Sequence, residues 1–168
     1  ADGVCGWPAG RNIWYGVTRR MDECVFDCNP SHLVFLIGTN GVGVQSIPLD
    51  YWFGAYQYVV QEAEKAFPDL DVILVTCPPS GTAYGKHETL NARILIWNER
   101  IRTYAEQEGY ALIDLYELLA DETGLLPDSM TRDGLHFNDT GYEQWAKAVR
   151  EILDGDGDGD SRSKLKSE

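Results

Sequence analysis

The chain has 168 residues and a formal charge of −13, with 43% hydrophobic and 24% charged residues. That length and balance suit one globular domain able to bury roughly 70% of its unfolded surface. Only five acids and three bases lie in residues 154–168, so the acidity belongs to the body of the chain. Such a surface argues against nucleic acid and against an anionic membrane surface as partners, since both draw on dense positive charge. The longest apolar runs, Leu33–Ile37 and Val72–Val75, fall far short of the roughly 20 residues of a membrane-spanning helix.

In chain order, Asn12-Ile13-Trp14-Tyr15-Gly16 reads as a short strand ending at a glycine. Cys24 and Cys28 would share a face if their segment were helical. They fit a disulfide or two thiols, and no convincing Cys/His metal spacing involves Cys5, Cys24, Cys28 or Cys77. Ser31 to Ile37 is a continuous apolar strand of the kind buried on both faces, and it stops at Gly38-Thr39-Asn40-Gly41. Apolar positions 52, 56, 59, 60, 63, 66 and 67 have helical spacing, with Pro68-Asp69 as the stop. Asp71–Thr76 is a second buried strand, halted by Pro78-Pro79. A helical stripe at 90, 94, 97, 101, 104 and 105 follows, then a strand over Tyr110–Leu115. The last helix carries apolar residues at 142, 145, 146, 149, 152 and 153.

Alternating strands and helices predict an α/β fold, a parallel sheet with helices on both faces. Right-handed crossovers then bring every strand's C-terminal end to one edge, where ligands of open α/β sheets bind. Domain boundaries are placed at 1–153 for the fold and 154–168 for a flexible Asp/Gly tail. Asp154, Asp156 and Asp158 match the opening of a calcium loop, but the twelfth position holds Leu165 in place of a carboxylate. No metal or cofactor is implied elsewhere.

Two short motifs at the binding edge carry chemistry. In Asp133-Gly134-Leu135-His136, the aspartate can reach the imidazole Nδ1 from behind and leave Nε2 as a general base. In Gly38-Thr39-Asn40, an asparagine amide at a strand end can donate to a developing oxyanion. Each motif alone is also an ordinary turn.

Together they resemble the SGNH hydrolases, or GDSL esterase/lipase family. The likeness runs from about Gly10 to Leu153 and includes the sequel Phe137-Asn138-Asp139-Thr140-Gly141-Tyr142. The resemblance implies a flavodoxin-like three-layer α/β/α sandwich. It also implies a catalytic pair of His136 and Asp133, and an oxyanion hole from Asn40 and Gly16. Thr39, Trp14, Tyr15 and Pro79 are the expected substrate contacts, whereas Trp52 sits on an apolar stripe and reads as core.

The family's nucleophile is a serine in a Gly-Asp-Ser block after a first strand, and no serine here follows an N-terminal apolar strand. The one Gly-Asp-Ser, Gly159-Asp160-Ser161, follows an Asp/Gly run whose carboxylates would resist burial in a strand. The first strand therefore reads as absent from this chain, which would leave the Leu33–Ile37 strand with an unpaired edge. An N-terminal companion fragment, or a second copy pairing at strand 33–37, is expected to complete it. The expected activity is hydrolysis of short-acyl esters, with acetylated sugars as the leaning. Lysophospholipase or thioesterase chemistry, and a non-catalytic binding or assembly role, stand as alternatives. Acidity, few lysines and sugar-compatible aromatics point to an extracellular location, and none of these features is incompatible with the cytoplasm.

Overall fold

A computed structural model describes Val17 and residues 20–155. Three parallel strands, β1 (His32–Phe35), β2 (Asp71–Val75) and β3 (Ala111–Ile113), form a sheet in the order β1-β2-β3. Phe35 pairs with Leu74, and Leu74 in turn with Leu112. Six helices accompany them among the described residues: α1 (Met21–Cys24), α2 (Thr39–Val42), α3 (Leu49–Ala66), α4 (His87–Glu108), α5 (Leu115–Leu119) and α6 (Asp139–Gly155).

The period-2 alternation of β2 divides the interior in two. Val72 and Leu74 join Trp52, Tyr56, Val59 and Val60 of α3 and Ile94, Trp97 and Ile101 of α4 in one core. Ile73 and Val75 face the other way, toward Ile113, Leu115, Leu119 and the apolar stripe of α6, which includes Trp145 and Val149. Side chains alternate across a strand, so one five-residue segment serves both layers. The result is the expected α/β/α sandwich, and Trp52, 2% exposed, is core as its spacing indicated.

β2 is buried along most of its length, as a strand with neighbours on both sides must be. β1 departs from the expected two-sided burial. Only Phe35 of its four residues is buried, and Leu36 and Ile37 beyond it are half-exposed. The reason is positional: among the described residues β1 pairs with β2 alone. The segment around Cys24 and Cys28 is a single helical turn followed by a 3₁₀ turn (Phe26–Cys28), not one continuous helix.

The helix ends follow local chemistry. α3 is followed by Pro68, and it places Asp50 in its first turn and Lys65 in its last, complementing the helix dipole. α4 ends at Gly109, whose φ of 73° is the left-handed cap that favours glycine. Asn138 stands before α6 and accepts from the Gly141 N–H at 3.2 Å, a side-chain N-cap. None of the helices among the described residues is long and apolar enough to cross a membrane.

Candidate active site

The loop before α6 is organised by hydrogen bonds within a few residues. Asp133 Oδ1 accepts from the backbone N–H of Leu135 at 2.9 Å and of His136 at 2.8 Å, and Oδ2 lies 2.7 Å from His136 Nδ1. Thr131 Oγ1 donates to the His136 carbonyl at 2.7 Å and accepts from the Gly134 N–H at 2.9 Å. The His136 N–H, the imidazole and the Leu135 N–H together hold the Asp133 carboxyl well below the usual carboxylate range. It therefore stays ionised and holds the ring by Nδ1, which leaves Nε2 as the nitrogen available for proton transfer.

Opposite this loop, the chain leaves β1 through Gly38. Its φ of 143° and its closeness to Trp97 both require glycine, since a Cβ there would overlap the indole nitrogen and lie 3.0 Å from Cys77 Sγ. The turn continues as α2, closed by the Val42 N–H donating to the Gly38 carbonyl at 2.8 Å. Arg93 of α4 donates from Nε to the Val42 carbonyl at 2.6 Å and from Nη2 to the carbonyls of Val44 and Ile47 at 3.4 Å each. Asn40 is exposed on this turn.

The two loops meet at one cleft of about 210 Å³, at the C-terminal edge of the sheet. Thr39, Asn40 and His136 all line it, with Asp133 behind His136. Pro78 lines it where Pro79 was expected, and Pro79 is buried. Gly16, Trp14 and Tyr15 lie outside the described residues. Sequence reasoning passed over Phe137, Tyr142 and Trp145, which form an aromatic wall beside His136. Tyr142 and Trp145 were legible only as the apolar stripe of α6, which reads as core.

A larger hollow of about 630 Å³ lies between α3 and α4, lined by Phe53, Leu95, Ile96 and Arg100 among others. Its lining includes no histidine, cysteine or serine among the described residues. No serine among the described residues lines the smaller cleft. Ser80 is fully buried and bonded to Asn91, Ser46 and Ser129 are exposed elsewhere, and Ser31 precedes β1 at the opposite edge of the sheet.

A strand-end asparagine and an aspartate-held histidine share one cleft at the C-terminal edge of a parallel α/β/α sandwich, the arrangement that the resemblance to the GDSL esterases implied. The model of the GDSL-like Lipase/Acylhydrolase family matches residues 2–144, and the chain belongs to that family. A GDSL-like lipase from Bacteroides thetaiotaomicron superposes with a TM-score of 0.71 at 24% identity, over 82% of this chain and 69% of its own. An acetyl xylan esterase superposes with a TM-score of 0.69 at 25% identity, over 83% of this chain and 75% of its own. A catalytic mutant of an acetylxylan esterase from Geobacillus stearothermophilus gives a TM-score of 0.63 at 22% identity, over 81% and 65%. Comparison with curated proteins finds no match.

Proposed function

We propose that this chain hydrolyses short-acyl carboxylic esters, with O-acetyl groups on carbohydrate as the substrate class. The observation that carries the reading is the Asp133–His136 pair, 2.7 Å apart, in the cleft that also presents Asn40. The serine is supplied from outside this segment, as the expected companion fragment or second copy would do. His136 Nε2 removes its hydroxyl proton as Oγ attacks the ester carbonyl, and Asp133 stabilises the resulting imidazolium. Asn40 Nδ2–H donates to the tetrahedral oxyanion, with the Gly16 N–H as a second donor. Collapse of the intermediate breaks the ester C–O bond, and the imidazolium returns its proton to the departing alcohol. Water, deprotonated by His136, then attacks the acyl-serine; the acyl C–Oγ bond breaks, the imidazolium returns its proton to the serine Oγ, and the acid is released.

Several features support the substrate class. The cleft, at about 210 Å³, is below the roughly 300–1,000 Å³ of drug-sized ligand sites, which favours a small acyl group. Phe137, Tyr142 and Trp145 offer ring faces beside His136, and a net charge of −13 suits a neutral substrate better than a polyanion. Two of the similar structures are acetyl xylan esterases. The side of β1 that has no strand partner among the described residues is taken by a companion fragment or a second copy, and the composition fits an extracellular setting.

Hydrolysis of p-nitrophenyl acetate, with labelling by a fluorophosphonate and peptide mapping, tests the reading. His136→Ala should abolish labelling, and Asn40→Ala should lower kcat by roughly 10²–10³. Activity untouched in both variants would sink the assignment. The second reading, a binding protein of the same fold, is favoured by one observation: no described serine lines the cleft. It predicts no fluorophosphonate label and retained affinity for an acetylated sugar.

A further inference from the structure

Helix α4 reaches the exit of β2 through two buried asparagines. Asn98, fully buried, accepts from the Cys77 N–H with Oδ1 and donates to the Cys77 carbonyl with Nδ2, both at 2.8 Å. Asn91, 7% exposed, does the same at Ser80: Oδ1 accepts from the Ser80 N–H and hydroxyl at 2.8 Å, and Nδ2 donates to the Ser80 carbonyl at 2.9 Å. The spacing is a geometric match. Seven helical residues rise about 10.5 Å, and three extended residues span roughly 10 Å. Two asparagines two turns apart can therefore each grip one residue of segment 77–80.

The two grips lead to different halves of the cleft. Cys77 Sγ donates to the Ile37 carbonyl at 3.7 Å and packs against Gly38, so Asn98 acts on the turn that carries Asn40. Trp97, its neighbour on α4, meets the same Gly38. Ser80 leads directly into Gly81, whose N–H donates to the Gly134 carbonyl at 2.7 Å. Gly134 lies two residues before His136, and a Cβ there would overlap the Tyr84 amide and lie 2.8 Å from the Gly81 carbonyl. Asn91 thus acts on the loop that carries His136.

We propose that Asn91 and Asn98 are positioning residues of the esterase site, Asn91 setting the His136 loop and Asn98 setting the Asn40 turn. A buried amide that satisfies both backbone groups of one residue is costly to lose, because removing it leaves a donor and an acceptor unpaired. Their roles rest on the reading of the cleft as an ester-hydrolysing site, but the division between them is a property of the geometry.

The test is heteronuclear NMR on Asn91→Ser and Asn98→Ser, beside p-nitrophenyl acetate kinetics. Asn91→Ser should shift the His136 ring resonances while leaving the Asn40 side-chain amide in place. Asn98→Ser should move the Asn40 amide, leave His136 in place, and lower kcat about tenfold with KM unchanged, as loss of a transition-state contact does. Any other pattern of resonance shifts, including both groups moving in each variant, overturns the proposal. Should the serine variants not fold, Asn91→Asp and Asn98→Asp keep the shape and one acceptor, and the same separation is required of them. Absence of hydrolysis in every form, wild type included, would overturn the hydrolase reading alone, since the resonances decide the positioning roles.

Discussion

Gly81 and Gly134 are joined backbone to backbone, N–H to carbonyl at 2.7 Å, so the loop bearing His136 hangs from the exit of β2. Neither residue can take a side chain without cost. A Cβ on Gly81 would overlap the Leu126 carbonyl, and one on Gly134 would meet the Gly81–Tyr84 backbone.

Gly134→Ala is therefore expected to destabilise the protein by about 1–3 kcal/mol, combining a φ of 78° that disfavours L side chains with a backbone overlap. Urea unfolding measures it. A variant as stable as wild type would show that the 81–134 contact does not constrain the loop.

Gly38 and Trp97 should behave as a coupled pair. Gly38→Ala places a methyl group on the indole nitrogen, and Trp97→Phe removes the ring atoms it meets. Each single variant should lose stability, and the double variant should lose less than their sum by roughly 1 kcal/mol or more. Strict additivity in thermal or urea denaturation would remove the steric explanation for glycine at position 38.

Asp133 gives a pH dependence of definite sign. Its carboxyl pKa in the folded state is lowered by the His136 and Leu135 N–H groups and the imidazole. Its stabilising contribution is complete above the ordinary aspartate pKa of about 3.9. It is lost as pH falls through the lower folded-state value. The urea midpoints of wild type and Asp133→Asn should differ by a constant amount attributable to this group well above pH 4 and converge as the solution is acidified. A gap that widens toward acid would reverse the sign and refute the assignment.

Cys77 should be chemically silent in the native state. Burial pushes its thiol up to about 11, so roughly one in a thousand is ionised at pH 8, and no reagent reaches a fully buried sulfur. Iodoacetamide followed by peptide mass analysis should find Cys77 unmodified until urea unfolds the chain. Rapid native alkylation would mean that the Cys77–Gly38 contact opens readily.

Much of the site was legible because its chemistry is local. Asp133 and His136 are three residues apart, so their mutual bonds follow from one turn. The Gly38-Thr39-Asn40 turn follows directly from a strand whose apolar run ends there. The supporting residues were not legible. Asn91, Arg93 and Asn98 are not among the apolar positions that marked α4 as a helix, and the stripe gives them no role, yet both asparagines are buried and Arg93 donates to three carbonyls. Their partners at 77, 80, 42, 44 and 47 are 11 to 51 residues away in sequence, and nothing in a one-dimensional pattern announces such pairings.

The amino-acid sequence by itself determined the alternation of strands and helices, the strand-end turns and the Asp133–His136 pair, because these depend on side-chain periodicity and on contacts within a few residues. Tertiary structure alone decided which proline faces the cleft, how little of β1 is buried among the described residues, and which polar side chains of α4 turn inward. Those outcomes depend on what packs against each face. A buried amide is tolerated only where the fold brings it a matching backbone donor and acceptor.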